Sequence, residues 1–146
     1  MSGQKKPRLQ YAALPWRIAD GLEILLVTSR RTRRWVIPKG WPIAGLKPHE
    51  AAAQEAFEEA GIVKGEVEDS AAGHFHYVKR SKGGLARMCR VEVFALKVEH
   101  QADDWPEKPA RSTRWFSPTE AADAVDEPEL QALILRFASR PADVGP

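Results

Sequence analysis

The sequence predicts a mixed α/β domain in which helices cover a sheet. Three observations predict it. Apolar, β-rich runs stand at 22–28, 73–79 and 86–98; one alanine- and glutamate-rich helical stretch at 48–60 sits among them; and amphipathic helical spacing returns near the C-terminus. The chain has 146 residues, 43% of them hydrophobic and 29% charged, which suits one compact domain spanning 1–146. Residues 1–7 are polar and are expected to be flexible.

Residues 8–16 (RLQYAALPW) read as a strand. Ala19-Asp20-Gly21 is a turn signal, and LEILLVT at 22–28 is a buried strand. Trp35-Val36-Ile37 is a short apolar piece stopped by Pro38. The following PKGWPIAGLK (38–47) holds two prolines and two glycines and reads as a structured loop. PHEAAAQEAFEEA (48–60) then reads as a helix, with Pro48 suited to its first position and Gly61 to its exit. Strands are expected at 73–79 and 86–98, joined around Ser81-Lys82-Gly83-Gly84. Residues 99–110 read as a polar loop and 113–116 as a short strand. Ser117-Pro118-Thr119-Glu120 has the capping-box pattern that opens a helix. A last helix over about 127–139 places Leu130, Leu133, Ile134 and Phe137 on one face.

Net charge is only +2, so the distribution says more than the balance. Arg30, Arg31, Arg33, Arg34 and Lys39 crowd one stretch; Lys79, Arg80, Lys82, Arg87 and Arg90 crowd another. Such clusters suit a phosphorylated ligand, although a solvated basic face is the commoner use of them. Cys89 is the only cysteine, which excludes an intrachain disulfide framework and a cysteine-based zinc site. MSGQKKPR has no apolar segment behind its charges, and no apolar run reaches bilayer length, so a cytoplasmic protein is expected.

The chemistry concentrates on the helix at 48–60. Its acids lie towards the C-terminal end, against the preference of the macrodipole. Glu55, Glu58 and Glu59 stand at i, i+3 and i+4, so they project within roughly a 100° arc. Carboxylates this close repel one another unless a cation joins them. Mg²⁺ or Mn²⁺ prefers such oxygen ligands and can polarise a phosphoryl oxygen. Spacing alone still leaves a solvated acidic face as the commoner reading.

The register of the flanking residues changes that. GWPIAGLKPHEAAAQEAFEEAGI (40–62) resembles the Nudix box, the loop–helix–loop signature of the Nudix hydrolases: Gly40, Glu55, Glu58, Glu59, Gly61 and Ile62 fall at its fixed offsets, with Ala56 at its apolar position. The resemblance implies an α/β/α sandwich around a mixed sheet, divalent-metal dependence, and hydrolysis of a diphosphate bond. It implies Glu55, Glu58 and Glu59 as catalytic metal ligands, joined by the backbone carbonyl of Lys39. Two positions depart from the box: its first Glu is Leu46 here and its Arg is Gln54, so an ionic set is neutral while the carboxylates are kept. Leu25-Leu26-Val27-Thr28-Ser29-Arg30, Arg34-Trp35 and Arg114-Trp115-Phe116 look like the diphosphoinositol polyphosphate and diadenosine polyphosphate hydrolase branch. Residues 9–13 lack the N-terminal basic residues that hold phosphates in that branch.

Arg30, Lys39 and Arg87 are the expected substrate contacts. Glu107 is a candidate extra base or metal ligand, with Glu92 as its alternative. His74 and His76 share a strand face and could bind metal, although a structural role is the commoner one for such a pair. Trp35 and Trp41 bracket the box loop and could stack on a base. The leading expectation is a metal-dependent hydrolase of a small phosphorylated substrate. A non-catalytic ligand-binding Nudix module and an RNA 5′-end pyrophosphohydrolase remain as alternatives. No dedicated nucleic-acid motif is present, and the sequence carries no signal for oligomeric state.

Overall fold

The structure, a computed structural model, describes residues 6–140. The expected flexibility of the N-terminus therefore concerns residues that, up to position 5, lie outside the described range. Eight strands and three helices follow one another as β1 (Arg8–Ala19), β2 (Gly21–Thr28), β3 (Trp35–Val36), β4 (Lys39–Gly40), α1 (Pro48–Ala60), β5 (Ile62–Val67), β6 (Gly73–Arg80), β7 (Ala86–Gln101), β8 (Thr113–Phe116), α2 (Pro118–Ala124) and α3 (Pro128–Ala138). The sheet runs β3-β2-β1-β7-β5, with β4 added on β1, β6 on β7 and β8 on β2. It is mixed because β1 and β7 pair in parallel, Leu14 opposite Ala95, while the other neighbours are antiparallel.

Strand alternation divides the core in two. Ala12, Leu14, Ile24, Leu26, Val91 and Val93 point to one face, which Leu130, Leu133, Ile134 and Phe137 of α3 cover together with α2. Ala13, Leu25, Val27, Phe94 and Leu96 point to the other, beneath Ala52, Ala56 and Ala60 of α1. Alanine at every fourth position lets α1 lie close to the sheet, which fixes the height of its glutamates. The result is the α/β/α sandwich expected from the sequence.

Three parts differ from the sequence reading. The loop at 38–47 contains β4, whose two residues pair with Tyr11 and Ala12. Residues 62–67 form β5, an exposed strand with register shifts on either side of Lys64. β7 runs on to Gln101 because β5 pairs with its last third, and the remaining loop tightens into a 3₁₀ turn at Lys108–Ala110.

Helix α1 is entered and left as its sequence demands. Pro48 sits at N1, and the Glu50 carboxylate accepts the Lys47 N–H at 2.8 Å. Gly61 takes φ +75° at the exit, where its N–H closes the last turn. The last turn has no basic side chain; the end of β7 and the loop after it satisfy its carbonyls instead. Glu58 O accepts from Glu107 N (2.9 Å), Glu59 O from Trp105 Nε1 (3.2 Å) and Ala60 O from Gln101 Nε2 (2.9 Å). A Cβ on Gly61 would lie 2.3 Å from Trp105 Cε3. Gly61→Ala therefore combines a left-handed alanine with overpacking, and should destabilise the fold by about 2–4 kcal/mol in urea titrations.

Candidate active site

Glu55, Glu58 and Glu59 project from α1 towards β4 and the loop that follows β7. Glu55 is half-buried and lies against the bare Cα of Gly40: a Cβ there would stand 2.3 Å from Glu55 Cδ. Glycine at the head of the box is thus required by the close approach of this carboxyl. Glu58 is half-buried, and its Oε2 accepts from Gln54 Nε2 at 2.8 Å. The neutral Gln54 still orients its neighbour one turn along the helix. Glu59 is 5% exposed. It faces Arg111 Nη2 at 3.4 Å, and the Lys39 N–H points at its Oε1 from 3.4 Å.

Arg111 was not anticipated from the sequence. Its side chain is 12% exposed and forks three ways: Nε to Glu107 Oε1 at 2.8 Å, Nη2 to Glu59, and Nη1 to the Thr28 carbonyl at 3.1 Å. It joins α1, the loop after β7 and the end of β2. The structure thus brings Glu107 to the glutamate helix, where its charge acts on both Glu55 and Glu59. Lys39 places its ammonium 4.8 Å from the centre of the Tyr77 ring. Desolvation holds that amine below its usual value, against the opposing pull of Glu59 and Glu127. Glu127 is itself buried, and its Oε1 has no hydrogen-bond partner among the described residues.

The basic stretches converge near this end of the sheet. Arg31 Nη1 donates to Arg80 O at 3.0 Å, and Arg34 Nη1 pairs with Asp126 at 2.7 Å. Arg33, at φ +60°, is pinned to the segment beside Arg111 through Ala110 O (3.2 Å) and Ser112 Oγ (3.3 Å). Arg30 is exposed on the turn after β2. Arg87 lies near the start of β7, where its Nη2 donates to Lys6 O at 3.2 Å. Glu92 is opposite His74 in the β6–β7 pair and lies 3.7 Å from Arg90. Trp35 packs edge-on against Phe116 in the core, with ring centres 5.1 Å apart. Trp41 is partly exposed under the Arg8 guanidinium, 4.4 Å from its ring centre.

Carboxyl groups outnumber cations here, and the electrostatics register it. Glu55 is pushed up to about 7 by burial first, then by Glu58 and Glu107. Glu59 is pushed up to about 8 by burial, against Arg111 and Lys39. Among the described residues, the group of three ligands whose donor atoms all lie within 4.8 Å of one another is His74, His76 and Glu129. On α1, Glu55 and Glu59 share a side-chain hydrogen bond, Gln54 holds Glu58 and Arg111 faces Glu59. A divalent cation fits this donor set, since it would replace the protons that Glu55 and Glu59 retain. In the metal-free chain these protons persist from about 4.5, the ordinary value, up to about 7 and about 8. The folded state then binds more protons than the unfolded one, so stability falls as pH rises through that window. The Tm in EDTA should therefore drop between pH 5 and pH 8, and saturating Mg²⁺ should flatten the slope; Glu55→Gln protein should show a smaller drop.

The family model for the NUDIX domain matches residues 8–137. The chain belongs to the Nudix family. Nudix hydrolase 12, mitochondrial, of Arabidopsis thaliana is 37% identical over 107 residues, which cover 68% of this chain and 50% of that protein. Diphosphoinositol polyphosphate phosphohydrolase 3-beta of Bos taurus is 35% identical over 106 residues, covering 68% of this chain and 57% of its own. The chain thus spans between half and two thirds of the length of these Nudix relatives. The crystal structure of C. elegans Ap4A hydrolase shares the fold, with a TM-score of 0.69 at 23% identity over 92% of this chain and 98% of that one. No helix of the described residues is long and apolar enough to cross a membrane.

Proposed function

We propose that this Nudix domain is a divalent-metal-dependent pyrophosphohydrolase. Its substrate would be a nucleoside polyphosphate of the dinucleoside type or a diphosphoinositol polyphosphate. The observation that carries the reading is the excess of carboxylate around α1: Glu59 and Glu107 share the Arg111 guanidinium, and Glu55, beside Glu58, is pushed up by burial and by its acidic neighbours. Such an excess has little structural value and costs stability, but it suits a hard cation.

Glu55, Glu58 and Glu59 would hold Mg²⁺ or Mn²⁺, with the Lys39 carbonyl on β4 as a further ligand. When bound, the cation would polarise a phosphoryl oxygen and offset the charge that builds on it. Gln54 occupies Glu58 Oε2 and leaves Oε1 for a ligand or for the proton of the attacking water. Arg111 holds Glu59 and Glu107 in place and opposes the upward push of burial on Glu59. Lys39, Arg30 and Arg87 would meet the phosphate chain, the first from beside the carboxylates and the others from the basic turns. Glu107 would serve as the additional base or ligand. The free and buried Cys89 suits a reducing compartment such as the cytoplasm.

The names of the bovine phosphohydrolase and the C. elegans hydrolase support the two substrate classes offered. The non-catalytic alternative rests on Leu46 and Gln54. Leu46 is exposed, but the contact from Gln54 to Glu58 supports turnover rather than binding alone. The test is a panel of dinucleoside polyphosphates, nucleotides, inositol pyrophosphates and 5′-triphosphorylated RNA, incubated with Mg²⁺ or EDTA and resolved by ³¹P NMR. Metal-dependent cleavage of one class is the expected result. Tight binding without cleavage across the panel would favour the binding module.

A further inference from the structure

A second group of ligands lies away from α1, at the junction of β6 with α3. His74 and His76 alternate on β6 and so share a face, with ring centres 5.4 Å apart. Glu129, in the first turn of α3, reaches the same place. Its Oε1 accepts both the His76 backbone N–H at 2.7 Å and His76 Nδ1 at 3.0 Å. These hydrogen bonds hold the Glu129 carboxyl below its usual value, so it stays ionised. One donor atom from each of the three residues lies within 4.8 Å of the others. His76 is half-buried, while His74 and Glu129 are exposed, which leaves the group open to solvent. Across the pair, Glu92 stands opposite His74 and Arg90 opposite His76, with Arg90 and Glu92 3.7 Å apart.

We propose that His74, His76 and Glu129 form a second metal site, one that takes a transition-metal ion of the Zn²⁺ class and ties α3 to the edge of the sheet. The ligand types separate this site from the carboxylates of α1. Imidazole nitrogen selects Zn²⁺, Ni²⁺ or Cu²⁺, whereas an all-oxygen set suits Mg²⁺ and Mn²⁺. Two histidines and one carboxylate are a recurrent zinc donor set, with a fourth position left for water. Two of the ligands are already fixed: the strand sets the spacing of the histidines, and the His76 N–H orients Glu129 before any ion arrives. The site does not depend on the proposed hydrolase activity.

Zn²⁺ alone is the probe, titrated calorimetrically into the full chain in saturating Mg²⁺ so that the α1 carboxylates are filled. The wild type should bind one Zn²⁺ and gain Tm on doing so. His74→Ala and Glu129→Gln should each weaken that binding at least about tenfold, while Glu58→Gln leaves it unchanged. In long-range ¹H–¹⁵N spectra of the rings, Zn²⁺ should shift the nitrogens of His74 and His76 and leave those of His49 and His100 in place. Zn²⁺ affinity that is unchanged in folded His74→Ala protein, or lost in Glu58→Gln protein, would overturn the assignment, as would ring shifts confined to His49 or His100.

Discussion

Glu58→Gln protein is expected to keep its fold and to lose about a thousandfold in kcat for metal-dependent diphosphate cleavage. That loss corresponds to about 4 kcal/mol of transition-state stabilisation. Glu58 is the cleanest of the three carboxylates to test. It is half-buried, its side chain touches Gln54, and it carries no ion pair among the described residues. A glutamine there can still meet the Gln54 amide, so helix α1 should be undisturbed. What disappears is one negative charge where a hard cation needs it. Circular dichroism and urea titration should match the wild type within experimental error, so the fall in kcat reports on chemistry. Glu59→Gln would mix two effects, because Glu59 also partners Arg111.

Arg111→Ala should be the most destabilising single substitution at the site. It removes the guanidinium that faces Glu59 and Glu107 and strips the Thr28 carbonyl of its donor. Breaking one side of a buried pair costs about 3–5 kcal/mol where the other charge stays buried without a partner, which for Glu59 applies at about pH 8 and above. For a domain of this size, a fall in Tm of about 10 °C should follow. The sign of the pH dependence is distinctive. Glu59 is already pushed up towards about 8, and without Arg111 it would rise further. Below that range the carboxyl simply keeps its proton, so the defect should be smaller at pH 6 than at pH 8. Arg111→Lys should recover only part of the loss, since one ammonium cannot make the three-way fork. Thermal denaturation of the three proteins at both pH values checks this.

How much could be read in advance follows from how local each signal is. The bounds of α1 were legible because Pro48 and Gly61 mark them and the residues between favour helix. The glutamate face was legible for the same reason: i, i+3, i+4 spacing is a property of one element. β5 was not, because IVKGEV is short, exposed and bulged; it is a strand only because β7 extends far enough to pair with it. β4 was hidden by the prolines and glycines around it and owes its form to Tyr11 and Ala12. Arg111 carries no local mark at all. It sits in a polar connection far along the chain from α1, and only the fold sets it beside Glu59. Glu107 is a candidate only through the family resemblance of its loop; that it stands beside α1 is a consequence of its backbone bonding to Glu58 O. Arg30 beside the box loop and Arg87 beside the hairpin tip are placed by sequence position, which does not specify where a side chain points.

The central claim is that the α1 carboxylates hold the catalytic cation. Mn²⁺ binding followed by electron paramagnetic resonance tests it most directly, because free and bound Mn²⁺ are distinguished without any substrate. Wild-type protein should bind Mn²⁺, Mg²⁺ should displace it, and Glu55→Gln or Glu58→Gln should weaken binding at least about tenfold, while His74→Ala leaves it unchanged. Unaltered Mn²⁺ affinity in both glutamine variants would contradict the account.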